Sequence, residues 1–149
     1  MTYTGDYAMM ECLILGDSIG RGISSVMHSC VHLTEIGIST DLWYKKYHTR
    51  PMLDMQSYRY TVISLGSNDL ADAGSMMRRI RQKVNSGKVI WVLPSKEVKA
   101  KQRAVVNSVA ADFGDLVLSI TDRVGADKVH PPTVQAYEQI AKMIKDSVR

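Results

Sequence analysis

Only two cysteines, four prolines and one phenylalanine occur in the 149 residues. Cys12 and Cys30 form no Cys-x-x-Cys pair and have no histidine at zinc-ligand spacing, so no metal site is expected and the two read as reduced structural thiols. His28 and His32 stand four apart, but a helix break expected near Cys30 separates them. No apolar run approaches the roughly 18 residues that a membrane-spanning helix needs. The stretch 9–15 is interrupted by Glu11, and the preceding MTYTGDYA holds no basic residue. No signal peptide is therefore visible, and a soluble chain, cytoplasmic or otherwise unexported, is expected. Charge of one sign is also scarce: 19 basic against 15 acidic residues leave +4. The densest basic run, Arg78, Arg79, Arg81 and Lys83, lies on an expected helix, where a solvated face accounts for it without a nucleic-acid partner. Residues 16–22 contain glycines, but neither the Lys-Ser/Thr ending of a P-loop nor the spacing of a dinucleotide fingerprint.

What is present is apolar sequence, 45% of the chain, enough to build a core. Short apolar runs at 12–15, 34–39, 60–65, 88–93 and 116–120 read as strands. Helical spacing covers 19–30, 71–84, 96–113 (with Ser95 as its N-cap) and 133–148. The segment 42–54 is less regular and broken by Pro51. Near-continuous apolar strands alternating with helices predict an α/β fold. A five-stranded parallel sheet, in the flavodoxin-like order 2-1-3-4-5, would form the middle of a three-layer α/β/α sandwich. No repeat or linker divides the chain, so residues 1–149 read as one domain.

In such sheets the ligand site lies at the carboxyl ends of the strands, and three strand ends carry chemistry. The first is Gly16-Asp17-Ser18, which puts a hydroxyl at a helix N-terminus, where free N–H groups and the helix dipole favour a developing oxyanion. Alone, Asp17 and Ser18 read more readily as helix caps. The second is Gly66-Ser67-Asn68-Asp69, in which the Asn68 amide can donate to an oxyanion. Alone it is an Asn/Asp turn, with Asp69 bracing its own turn or capping the helix at Leu70. The third is Asp127-Lys128-Val129-His130. A carboxylate three residues before the imidazole can hold Nδ1–H and leave Nε2 free to take a proton. Alone, a surface histidine is the commoner meaning. Trp43, Tyr44 and Tyr47 read as core or rim packing, with a substrate mouth as the alternative, and Arg21 and Lys128 read as solvated side chains that could flank a site.

Taken together and in this order, the three blocks resemble those of the SGNH hydrolases, also called GDSL esterases and lipases. The glycine block of that family is matched by Gly37 in Glu35-Ile36-Gly37-Ile38-Ser39, and His130 is followed by Pro131, as the family has it. The chain departs from the pattern after the histidine, where Pro132 is added and Ala136 replaces a glycine. The resemblance spans residues 12–141. It implies Ser18 as nucleophile, His130 as base and Asp127 as orienting acid, with Ser18, Gly37 and Asn68 forming the oxyanion hole. It further implies a serine esterase that needs no metal or organic cofactor. A short, lidless chain would act on small acyl esters, acetyl among them, of a small molecule or a carbohydrate. Two other classes remain open: an inactive module of the same fold that binds carbohydrate or a partner, and a flavodoxin-like nucleotide-binding domain.

Overall fold

The computed structural model describes residues 9–149. The reading of the first eight residues as free of a signal peptide lies outside the described residues. Five parallel strands form one sheet in the order β2-β1-β3-β4-β5: β1 Met9–Gly16, β2 Cys30–Thr34, β3 Ser57–Ser64, β4 Ser86–Leu93 and β5 Leu116–Ser119. The helices are α1 Ser18–Val26, α2 Thr40–Tyr47, the short α3 Pro51–Asp54, α4 Gly74–Lys83, α5 Ala100–Phe113 and α6 Val134–Ser147.

Side chains alternate across a strand, so a run that is apolar throughout must be covered on both faces. Leu13, Leu15, Ile63, Trp91 and Leu93 point to one face, where they pack with Trp43, Met77, Ile80, Val106 and Val109 from α2, α4 and α5. Cys12, Ile14, Val62, Ile90 and Val92 point to the other, against Ile19 and Ile23 of α1 and Ile140 and Ile144 of α6. The sheet is thus the middle of three layers, as expected. Trp43 and Tyr47 belong to the core rather than to a substrate mouth. Trp43 is fully buried and its indole N–H donates to the Leu33 carbonyl at 2.8 Å.

The second strand departs from expectation. It is not 34–39 but Cys30–Thr34, and α1 ends at Val26 rather than running on to residue 30. Val31, His32, Leu33 and Thr34 alternate as an edge strand does, with His32 outward and Leu33 buried, and this pattern over so few residues is easily taken for a helix end. The shift makes Cys12 and Cys30 register partners on neighbouring strands, 4.6 Å apart at Cα and joined by a disulfide. The expectation of two reduced thiols is corrected accordingly. Helix α5 also begins late, at Ala100 instead of 96. Ser95 caps only a local turn, its hydroxyl accepting from the Glu97 N–H at 3.4 Å, and Lys99 at the true N-cap offers no side-chain bond. Likewise α4 begins at Gly74, whose N–H is taken by the Asp72 carboxylate at 2.8 Å.

Candidate active site

Gly16 ends β1 with φ +139°, and a Cβ there would lie 1.9 Å from the Ser64 carbonyl oxygen. Only glycine lets the chain leave the sheet in contact with β3 at this point. Asp17 follows as the N-cap of α1. Its carboxylate accepts from the Ile19 N–H at 3.1 Å, the Gly20 N–H at 3.4 Å and the Ser64 hydroxyl at 3.0 Å. Burial dominates these bonds and pushes the Asp17 carboxyl up to about 6. Its Oδ2 is buried without a partner. The sequence marked Asp17 as a cap but not Ser64, whose only signal is a polar residue closing an otherwise apolar strand. Ser18 is then the first residue of α1. The capping carboxylate takes the next two N–H groups and not that of Ser18, which a helix N-terminus leaves free.

The Ser18 hydroxyl lies 2.9 Å from His130 Nε2, and His130 Nδ1 lies 2.7 Å from Asp127 Oδ2. The other Asp127 oxygen accepts from the Val129 and His130 N–H groups, each at 2.9 Å. These backbone bonds come first, and the imidazole second, in drawing the Asp127 carboxyl down to about 2. An ionised carboxylate can only accept, so Nδ1 must donate to it; in the neutral ring Nε2 then accepts from the Ser18 hydroxyl. Lys128 adopts φ +61° so that the turn can wrap the carboxylate. The Gly125 N–H donates to the His130 carbonyl at 2.9 Å and closes the loop, and the buried Pro131 follows. The Asp127 and His130 side chains are about half exposed, so among the described residues no lid covers the pair.

Asn68 is exposed and donates one amide N–H to the Ile38 carbonyl at 3.1 Å. That bond fixes the amide against the β2–α2 loop and leaves its second N–H available. Gly37 sits in that loop with φ +77°, and no heavy atom lies within 4 Å of where a Cβ would be. The structure thus draws Ser18, His130 and Asp127 into one hydrogen-bonded relay, and brings Asn68 and Gly37 together as neighbours lining one cleft. Asp69 neither braces its own turn nor caps the helix at Leu70. Its carboxylate, buried, accepts from the Thr40 N–H at 2.8 Å and the Thr40 hydroxyl at 2.7 Å, tying the β3–α4 loop to the start of α2. Thr40 carried no signal in the sequence, because its partner is 29 residues away. Lys128 pairs with Glu97 at 3.7 Å, and Arg21 is exposed near Glu35. His32 bonds Thr34 and His48 bonds the Tyr44 carbonyl. Among the described residues no cluster of three or more His, Cys, Asp or Glu is placed to hold a metal, and no helix is long and apolar enough to cross a membrane.

The sequence matches no protein-family model, and no curated protein matches it. Solved structures do. A GDSL-like lipase from Bacteroides thetaiotaomicron superposes with a TM-score of 0.69 at 15% identity, over 99% of this chain and 91% of that one. A lipase/acylhydrolase from Enterococcus faecalis gives 0.69 at 16% identity, over 93% and 95%. An acetylxylan esterase from Geobacillus stearothermophilus gives 0.67 at 12% identity, over 93% and 94%. The fold of this chain is that of the SGNH, or GDSL-type, hydrolases.

Proposed function

We propose that this chain is an SGNH serine esterase that hydrolyses small acyl esters by way of an acyl-enzyme. The observation that carries the reading is the relay Ser18–His130–Asp127, with contacts of 2.9 and 2.7 Å. His130 Nε2 takes the Ser18 proton as Oγ bonds to the ester carbonyl carbon, and the carbonyl oxygen becomes an oxyanion. The N–H groups of Ser18 and Gly37 and the Asn68 amide donate to that oxyanion. Asp127 stabilises the imidazolium. His130 then delivers its proton to the leaving alkoxide, and water repeats the sequence on the acyl-enzyme. No step calls for a metal or organic cofactor. An uncovered site suits esters displayed on a carbohydrate, and the likeness to an acetylxylan esterase favours that class.

A fluorophosphonate tests the reading. It should label the protein once, and peptide mass spectrometry should place the adduct on Ser18. Equal labelling of a folded Ser18→Ala variant would overturn the mechanism. Absence of any labelling or ester turnover would favour an inactive binding module of the same fold.

A further inference from the structure

Ser64 is a buried serine that the mechanism above does not use. It closes β3 and meets the nucleophile turn on both sides of Ser18. Its carbonyl accepts from the Asp17 N–H at 2.9 Å, and its hydroxyl donates to Asp17 Oδ1 at 3.0 Å. The same carbonyl is what a Cβ at Gly16 would strike, and the Ser64 Cβ lies 3.5 Å from where a Cβ of Gly20 would stand. From Ser64 the chain runs on through Leu65, Gly66 and Ser67 to Asn68. Leu65 and Ser67 are buried, and the Asp69 N–H closes the turn on the Gly66 carbonyl at 3.0 Å. The nucleophile turn and the Asn68 turn are therefore mounted on one strand end.

The link between them is Asp17. The Ile19 N–H, the Gly20 N–H and the Ser64 hydroxyl all converge on its Oδ1. Two of these donors belong to α1 and one to β3, so the carboxylate ties the first turn of the helix to the strand. No cation is among its hydrogen-bond partners. The titratable groups around it are the Tyr137 phenol of α6, which feels both Asp17 and Asp127, and the His130 imidazole of the β5–α6 loop, bonded to the next residue. From β2, uncharged Thr34 lies against Gly20. Hydrogen bonds to an ionised acceptor are about twice as strong as neutral ones. The tie is therefore tight while Asp17 is ionised and slack once it is protonated.

Resting on the esterase reading above, we infer that Ser64 is a positioning residue of the reaction: through ionised Asp17 it seats Ser18 against the strand end that carries Asn68. Ser64 touches neither substrate nor reacting atoms. It acts on the distance between the Ser18 hydroxyl and the oxyanion donors, where a misplacement of about 1 Å can cost about hundredfold in rate. Burial pushes the Asp17 carboxyl up to about 6, and the Ser64 bond opposes that rise. Removing the Ser64 hydroxyl therefore loosens the tie and also lets Asp17 take up its proton at higher pH.

Hydrolysis of p-nitrophenyl acetate tests this in wild type, Ser64→Ala, Asp17→Asn and the double variant, across the pH range in which an imidazole titrates. Ser64→Ala should lower kcat by about ten- to hundredfold with KM held. The acid limb of kcat/KM should be steeper in wild type than one ionisation allows, because His130 and Asp17 both contribute. It should move to higher pH in Ser64→Ala and reduce to a single ionisation in Asp17→Asn. In the Asp17→Asn background, Ser64→Ala should cost no further kcat, since the charge it acts through is gone. Far-UV circular dichroism checks the fold of each variant. Should Ser64→Ala not fold, the single-ionisation limb of Asp17→Asn carries the test. Wild-type kcat in Ser64→Ala, or a lowered kcat with the acid limb unmoved, overturns the positioning role while Ser18-dependent hydrolysis keeps the esterase reading standing. An Asp17→Asn limb as steep as wild type overturns it equally. Turnover that persists in Ser18→Ala, or no turnover of any ester, overturns both.

Discussion

Asp17 and Asp127 are two carboxylates that burial and hydrogen bonding drive in opposite directions. Asp17 is buried, and its carboxyl rises from 3.8 to about 6. The native state therefore binds its proton more tightly than the unfolded chain does, so stability is highest below the unfolded value and is lost as pH rises through the folded one. Between about pH 3 and pH 7 the loss amounts to about 3 kcal/mol. Urea unfolding of wild type and Asp17→Asn at the two pH values should show their difference changing by about that amount, and a constant difference would mean that Asp17 ionises normally. Asp127 goes the other way and remains a carboxylate wherever an imidazole titrates. Asp127→Asn should lower kcat by about 10³–10⁴-fold through the wrong imidazole tautomer. Asn68 is neutral and moves no proton. Asn68→Ala should lower kcat by about 10²–10³-fold with little effect on KM, and should cost about 1 kcal/mol of stability for the lost bond to Ile38. Full kcat in that variant would remove Asn68 from the oxyanion hole.

Among the elements, β2 decides most about the site, because its end sets where Gly37 stands. It is an edge strand of five residues, held to β1 by its ladder and by the Cys12–Cys30 disulfide. The cross-link spans 18 residues, which by loop-closure entropy is worth about 3 kcal/mol. Equilibrium unfolding of the oxidised and the thiol-reduced protein should differ by about that much. The misreading of this region has one physical origin. A short edge strand and a helix end both mix apolar and polar residues, and pairing with β1 decides between them. The interior strands β1, β3 and β4 were legible because burial on both faces demands unbroken apolar runs such as Val89-Ile90-Trp91-Val92-Leu93.

Across the whole molecule, burial is unequal along the sheet. Central β1, β3 and β4 lie between two packed layers, whereas β5 at the outer edge exposes 39% of Leu116 and 46% of Val117. Native-state hydrogen exchange should find the slowest amides in β1, β3 and β4, opening only with global unfolding, and faster exchange in β2 and β5. Uniform protection across all five strands would contradict this gradient.

The amino-acid sequence by itself determined the layer architecture, because continuous apolar strands alternating with amphipathic helices have few ways to be covered. It also singled out Ser18, Asn68, Asp127 and His130, not by any one motif, each of which alone reads as a cap, a turn or a surface histidine, but by the three in order and their resemblance to the SGNH blocks. Contacts between segments distant in sequence were decided only in the tertiary structure. These are the Cys12–Cys30 bond, the Asp69–Thr40 tie, the Ser64 support of Asp17, and the 112-residue span that closes Ser18 onto His130. Such pairs form when the sheet sets its register, and no local pattern of residues encodes which partner the register will deliver.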